Sequence, residues 1–333
     1  MGDNKYKNAN EILFQIRRKY GIFMVLVGFF ILCSFVNENF LSVRNIINIS
    51  RQISVTTILA FGETLLIIGG MLDLSCGSVL ALSGLISVSI YTMTGSLLLA
   101  IIVAIAVGII CNIINGVMVT KFNAPPFIAT LAMMAMARGA ALLYTKGQNI
   151  YQIGDYVKFG QGYIWFIPTP IIFLVLIGIY TWYLLKHTRL GRSLYAIGGN
   201  EEAARASGIN ISQSKMLTFV INGVFVGIAG VLFMSRVNAG LPNGAVGYEF
   251  EALTATIIGG TSFSGGIGTA MGTVFGAFIV GLLNNIMNLL CVNSYLQRII
   301  RGAIIALAVI YDIHVKTLRE KHKAGNIEDK KTE

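Results

Sequence analysis

The residues that could do chemistry in this chain are polar side chains set inside long apolar stretches. Asn112 and Asn115 lie three apart, so a helix would carry them on one face. Asn284, Asn285 and Asn288 form a second polar patch, and Asn222 stands in a third apolar stretch. A carboxamide both donates and accepts hydrogen bonds and holds no fixed charge, which suits a hydroxyl-rich solute in passage. The same residues serve equally well as interhelical hydrogen-bond partners, worth about 0.6 kcal/mol per contact in membrane proteins. Glu63 and Asp73 are costlier to place in apolar surroundings. They could couple transport to an ion. Asp73, followed by Ser75 and Gly77, is also placed to cap the helix that follows. Glu63 needs a partner or a proton, and Arg138 matches it by depth. Bond-making chemistry lacks its parts. His187, His314 and His322 all fall at or beyond the ends of apolar stretches, with no nucleophile–base pair inside one. Cys33, Cys76, Cys111 and Cys291 show neither C-x-x-C spacing nor a histidine cluster, so no metal site and no disulfide framework is read from them.

The elements that must position these residues are legible from composition. The 333 residues are 55% hydrophobic and 12% charged, with a mean hydropathy of +0.73. Soluble domains carry roughly a quarter charged residues, whereas a membrane span needs about 20 mostly apolar ones. The chain reads as an all-α, polytopic transmembrane helical bundle with about ten spans. Their ranges are 20–36, 53–72, 75–93, 97–119, 127–145, 166–186, 216–235, 249–263, 268–290 and 297–313. The eighth is short and flanked by glycine, which fits a broken or re-entrant helix. Ile68-Gly69-Gly70 is echoed by Ile258-Gly259-Gly260, a weak sign of duplication. Gly223 and Gly227, and Gly268, Gly272 and Gly276, recur every four residues and predict close helix packing.

The basic residues behind the formal net charge of +10 cluster at the two ends and in one long loop. Lys5, Lys7, Arg17, Arg18, Lys19, Arg189, Arg192, Arg205 and the Lys-rich tail share one side of the threading, so the positive-inside rule puts both termini in the cytoplasm. No basic helix or aromatic platform accompanies the charges, which excludes nucleic acid as a partner. Residues 1–19 form a cytoplasmic N-terminal segment, 20–313 the membrane domain with a cytoplasmic loop at 187–215, and 314–333 a cytoplasmic tail. The apolar run after Lys19 lacks a small-x-small cleavage site, so it is read as a retained span.

That cytoplasmic loop carries a second signal. Asn200 is a good N-cap, Glu201 and Glu202 occupy the first turn, and Gly208 suits the C′ position. The short helix between them, with Ala203, Ala204, Arg205 and Ser207, is too brief to stand alone. It is either an ordinary capped loop helix or a docking element for another protein.

The chain resembles the permeases of bacterial ATP-binding-cassette importers for ribose and related monosaccharides. The likeness rests on Gly62-Glu63-Thr64-Leu65, on Asp73-Leu74-Ser75-Cys76-Gly77-Ser78 and on Pro125-Pro126-Phe127-Ile128-Ala129-Thr130-Leu131. It continues through Thr188-Arg189-Leu190-Gly191-Arg192, Asn200-Glu201-Glu202-Ala203-Ala204 and Ile258-Gly259-Gly260-Thr261-Ser262-Phe263-Ser264-Gly265-Gly266. The resemblance implies a homodimeric permease in a bacterial cytoplasmic membrane, a separate cytoplasmic ATPase and an extracytoplasmic sugar-binding protein. Residues 200–208 would be the helix that couples to the ATPase. The chain has no G-x-x-x-x-G-K-[ST], so no cofactor is expected in it and ATP would belong to the partner. The translocation path is expected to involve Glu63, Asn112, Asn115, Asn222, Asn284, Asn285 and Asn288. Helix breaks that could gate it are expected at Asp73, Ser75, Gly77, Gly259, Gly260, Gly265 and Gly266. Ribose is the expected cargo, with a galactoside, a furanose signal molecule or a nucleoside as alternatives. From another class, an ion-coupled secondary transporter remains the rival.

Overall fold

The structure, a computed structural model, describes residues 21–307, 309 and 310. The N-terminal segment 1–19 and the tail 314–333 therefore lie outside the described residues. Helix α1 (Gly21–Val36) is a short apolar helix, and seven longer ones are apolar enough to cross a membrane. These are α2 (Val43–Ile68), α3 (Cys76–Thr94), α4 (Leu97–Thr120), α5 (Pro126–Thr145), α7 (Thr169–His187), α10 (Ile211–Val237) and α12 (Ala270–Leu289). Short elements separate them: α6 (Lys158–Gln161), α8 (Arg189–Gly199), α9 (Glu201–Ala206) and α11 (Tyr248–Ile258). A final helix, α13, begins at 294.

Most predicted ranges match a helix, and two boundaries move for identifiable reasons. Helix α2 starts ten residues before the predicted 53, because Ser42 accepts a hydrogen bond from the Asn45 N–H and caps it there. Polar Asn45, Asn48 and Arg51 hid that start from an apolar count. Helix α11 is only 11 residues long, roughly half of what a membrane crossing requires. Two other helix starts have equally local causes. Pro126 opens α5, where its missing N–H costs nothing, and Thr269 caps α12 by accepting from the Gly272 N–H at 3.0 Å.

The echoed Ile-Gly-Gly segments end their helices in the same way. In α2 the Met71 N–H reaches the Leu66 carbonyl at 2.9 Å and the Gly70 N–H reaches Ile67 at 2.9 Å. In α11 the Thr261 N–H reaches Thr256 at 3.1 Å and Gly260 reaches Ile257 at 2.9 Å. Both are Schellman caps, with the glycine at φ 75° and 85° respectively.

Helix α10 runs through the centre, packed against α2, α3 and α4. Its contact with α4 is a backbone-to-backbone approach. A Cβ on Gly223 would stand 2.6 Å from the Gly108 carbonyl oxygen, and one on Gly227 would stand 2.7 Å from that of Ala104. The predicted small-xxx-small face is therefore a packing seam. Gly223→Val is expected to cost about 1–3 kcal/mol, the usual range for overpacking. A thermal melt of purified protein checks this, and an unchanged midpoint would remove the seam from the account. On the far side of α2, residues Cys33, Phe40, Ile49, Ile53, Leu282 and Ile286 form a smaller core that joins α1 and α12 to it.

Candidate functional site

Between α2, α3, α4 and α10 lies a polar knot sealed from solvent. Glu63, Asp73, Ser75, Asn112, Asn115 and Asn222 are each at most 1% exposed. The chain leaves α2, reverses at Gly70 and re-enters through Asp73 before α3 begins. Asp73 organises the re-entry. Its Oδ1 accepts from the Ser75 N–H at 2.7 Å and from the Ser75 hydroxyl, while Oδ2 accepts from Asn222 Nδ2 at 2.7 Å. The expected capping by Asp73 thus reaches the Ser75 N–H, one residue ahead of α3, and Ser75 itself makes no side-chain cap bond. Asn222 also donates to Asn112 Oδ1 at 3.0 Å, and Asn115 donates to Ser75 Oγ at 3.1 Å. Glu63 Oε2 accepts the Asp73 N–H at 3.3 Å.

Arg138 does not meet Glu63. Its guanidinium donates to the carbonyls of Pro242 at 2.9 Å and Gly244 at 2.8 Å, fastening α5 to the segment before α11. Glu249 is within electrostatic reach of Arg138 but forms no salt bridge with it, and its Oε1 accepts from the Gly247 N–H at 3.1 Å. Gly77 is the reason Glu249 fits, since a Cβ there would collide with Glu249 Oε2. Among the described residues neither Glu63 nor Asp73 has a cationic partner.

The second polar patch, on α12, divides. Asn285 and Asn45 exchange hydrogen bonds at 2.8 and 3.1 Å, and Asn288 accepts from Gln297 at 3.0 Å. Asn284 is 2% exposed, and neither polar atom of its carboxamide makes a hydrogen bond of ordinary length, although it faces Glu251. It lines a cavity of about 170 Å³ between α1, α11, α12 and α13, with Phe29, Phe250, Glu251 and Arg301. Glu251 is 5% exposed and forms a salt bridge with Arg301 at 2.9 Å. Nothing in the local sequence singled out that pair, whose members stand 50 residues apart.

At the other end of the bundle the loop helix forms as read. Asn200 Oδ1 accepts from the Ala203 N–H at 2.9 Å, and Gly208, at φ 82°, closes a Schellman cap from Ile209 to Ala204 at 3.1 Å. The two glutamates part company. Glu201 bonds Lys215 at 2.7 Å and Arg205 at 3.1 Å, whereas Glu202 points outward. The Lys215 ammonium, with help from Arg205, holds the Glu201 carboxyl below the usual carboxylate range despite its partial burial. Its contribution to the loop is present above the ordinary carboxylate pKa and fades as pH falls through the lowered value.

Helix α8, a helix inside the predicted 187–215 loop, buries Gly191, Leu194 and Ile197 and carries this assembly to both helix breaks. Gly198 lies directly under the Ile68 carbonyl, and a Cβ there would also stand 2.5 Å from the Gly266 nitrogen. The Gly266 N–H donates to the same Ile68 carbonyl at 2.9 Å, and the Tyr195 hydroxyl donates to the Gly268 carbonyl at 2.7 Å. Three glycine-rich segments therefore meet where α8 ends.

Residues 45–309 match the family described as branched-chain amino acid transport system / permease component. The chain belongs to this permease family. Curated relatives align with nearly all of it. The permease is 40% identical over 300 residues to the ribose import permease protein of Haemophilus influenzae, covering 89% of this chain and 93% of that one. It is 37% identical to the D-allose transport system permease protein of Escherichia coli, over 88% and 91% of the two chains. With the L-arabinose transport system permease protein of Escherichia coli it shares 36% identity, over 88% and 90%. No solved structure matches it. The permease is a multi-pass membrane protein and a transport subunit.

Proposed function

We propose that this permease is the translocating subunit of an ATP-driven importer for ribose. The observation that carries the reading is its identity with ribose import permeases, 40% over most of the chain, against 37% and 36% for the allose and arabinose relatives. Two copies would form the path, a cytoplasmic ATPase would bind and hydrolyse ATP, and an extracytoplasmic binding protein would deliver the sugar. Counting the apolar segments α1, α11 and α13 with the seven long helices would give the ten expected from sequence, and an even number of passages would put both termini on the α8–α9 side. That side would be cytoplasmic under the positive-inside rule.

Coupling would run from residues 200–208 through α8 to the helix breaks. In support, Gly198 abuts both Ile68 and Gly266, so a displacement of α8 would press on both loops. Glu202, free of the contacts that occupy Glu201, is the acidic group available to the ATPase. Glu202→Arg is expected to abolish co-purification of the ATPase without affecting membrane insertion. An intact complex would remove the coupling role from this helix. For the path, Asn284 stands beside a cavity, whereas Asn112, Asn115, Asn222 and Glu63 would reach a solute only after α4 and α10 separate.

The reading is tested in vesicles holding the permease, the ATPase and the binding protein, with ATP supplied on the ATPase side. Radiolabelled ribose should accumulate faster than allose, arabinose or leucine. Preference for leucine, or accumulation driven by a proton or sodium gradient in vesicles lacking the ATPase, would overturn it.

A further inference from the structure

The segment before α7 carries a feature that transport does not account for. Residues Tyr163–Ile164 (β1) and Ile167–Pro168 (β2) form a two-stranded hairpin whose tip is Trp165-Phe166. Trp165 is 90% exposed and Phe166 is 78% exposed, with Ile164 and Tyr163 also largely exposed beside them. From Phe159 to Leu185 the chain holds no charged residue. Such a tip in water would be a standing aggregation hazard.

The tip is held firmly in place. The Arg51 guanidinium of α2 lies over the Tyr163 ring, 4.9 Å from its centroid, and donates to the Gln161 carbonyl. Gln161 Nε2 donates to the Arg236 carbonyl at 3.0 Å, and the Gly160 N–H donates to Ser235 Oγ at 2.6 Å, both on α10. Helix α7 begins at the very next residue, Thr169, and its exposed face continues the apolar surface through Val175, Leu176 and Ile179. Trp and Tyr favour the level of lipid headgroups, where an apolar ring and a polar edge are both accommodated.

We infer that the 163–168 hairpin is an interfacial anchor: its tip inserts between lipid headgroups and upper acyl chains, at the end of α7 opposite α8. Three observations select lipid over a protein partner. The tip itself carries no charge, half-buried Ile171, Ile172 and Leu174 lead from it to the exposed apolar face of α7, and the neighbouring Arg51 guanidinium is turned back onto Tyr163. The long loop around it is therefore not an aqueous surface throughout. Its tip is part of the membrane-embedded body, and through Arg51 and Arg236 it ties the outer ends of α2 and α10 to the bilayer surface.

The chain has two tryptophans, Trp165 and Trp182, so Trp182→Phe leaves Trp165 as the sole reporter. Trp182→Tyr is the second version should the first insert poorly. In phosphatidylcholine vesicles, Trp165 emission is expected to be blue-shifted. It should lose most of its intensity to lipids brominated near the glycerol end of the acyl chain, less to lipids brominated near the chain terminus, and little to iodide. Emission at the wavelength of free tryptophan, quenched by iodide and untouched by either brominated lipid, would overturn the inference. So would an iodide-accessible Trp165 that becomes shielded only when a sugar-binding protein is added, which would reassign the hairpin to protein docking.

Discussion

Replacing Arg301 with methionine is expected to destabilise the permease by about 1–3 kcal/mol, because it strands the buried Glu251 carboxylate while Arg301 itself is partly exposed, so the loss falls short of that for a fully buried pair. Glu251 would keep the long Thr56 hydroxyl contact at 3.4 Å and lose the guanidinium that neutralises it. In the interior of a membrane bundle there is little water to take that place. The measurement is a thermal melt in lipid nanodiscs, with expression level as a second reading. Glu251→Gln in the same chain removes the stranded charge and should recover most of the loss. Arg301→Met melting with the parent, or the double variant melting no higher than the single, would show that the pair carries no such weight. The cavity beside the pair gives the test a second use, because Asn284 keeps its place in the wall if only the ion pair is at stake.

The polar knot should respond at least as strongly. Asp73→Leu would orphan the Ser75 N–H, the Ser75 hydroxyl and one Asn222 donor at once. Each buried donor left without a partner costs about 1–3 kcal/mol, so a loss of roughly 3 kcal/mol or more is expected. Asn222→Leu removes one donor from Asp73 and one from Asn112, a smaller change. The two substitutions together should cost less than their sum, because each already breaks the Asp73–Asn222 bond. A coupling of about 0.5–3 kcal/mol is the range for residues in one network. Strict additivity would mean that the bond contributes nothing, and the re-entry before α3 would then need another explanation.

Helix positions were largely legible because their causes are local. Apolar runs, Pro126 at a helix start, Asn200 at an N-cap and glycines at Gly70, Gly208 and Gly260 act through neighbours a few residues away. The failures have a common cause as well. Helix α2 was read short because its first turns carry polar residues that face α12 and the 158–168 segment. Helix α8 gives no helical signal in the sequence because its apolar side is narrow, and only the packing of Leu194 and Ile197 completes it.

The candidate site divides along the same line. Its residues were identifiable individually, since a carboxylate or carboxamide in an apolar stretch is conspicuous wherever it folds. Their partners were not. Asp73 and Asn222 are 149 residues apart, and Glu251 and Arg301 are 50 apart. Depth along the membrane suggested Arg138 for Glu63, yet the guanidinium went to the Pro242 and Gly244 carbonyls. Two side chains at one depth can still lie on opposite faces of a bundle.

On its own, then, the amino-acid order determined that this is a helical membrane protein, roughly where its helices run, how they are capped, and which permease family it belongs to. Those properties depend on hydropathy and on backbone groups within one or two turns. Tertiary structure alone decided that Asn222 is locked to Asn112 and Asp73 and Asn115 to Ser75, that Glu251 is held by Arg301, and that α8 touches both glycine breaks. Each of these is a meeting of segments distant along the chain, and only the packing of whole helices brings them within hydrogen-bond reach.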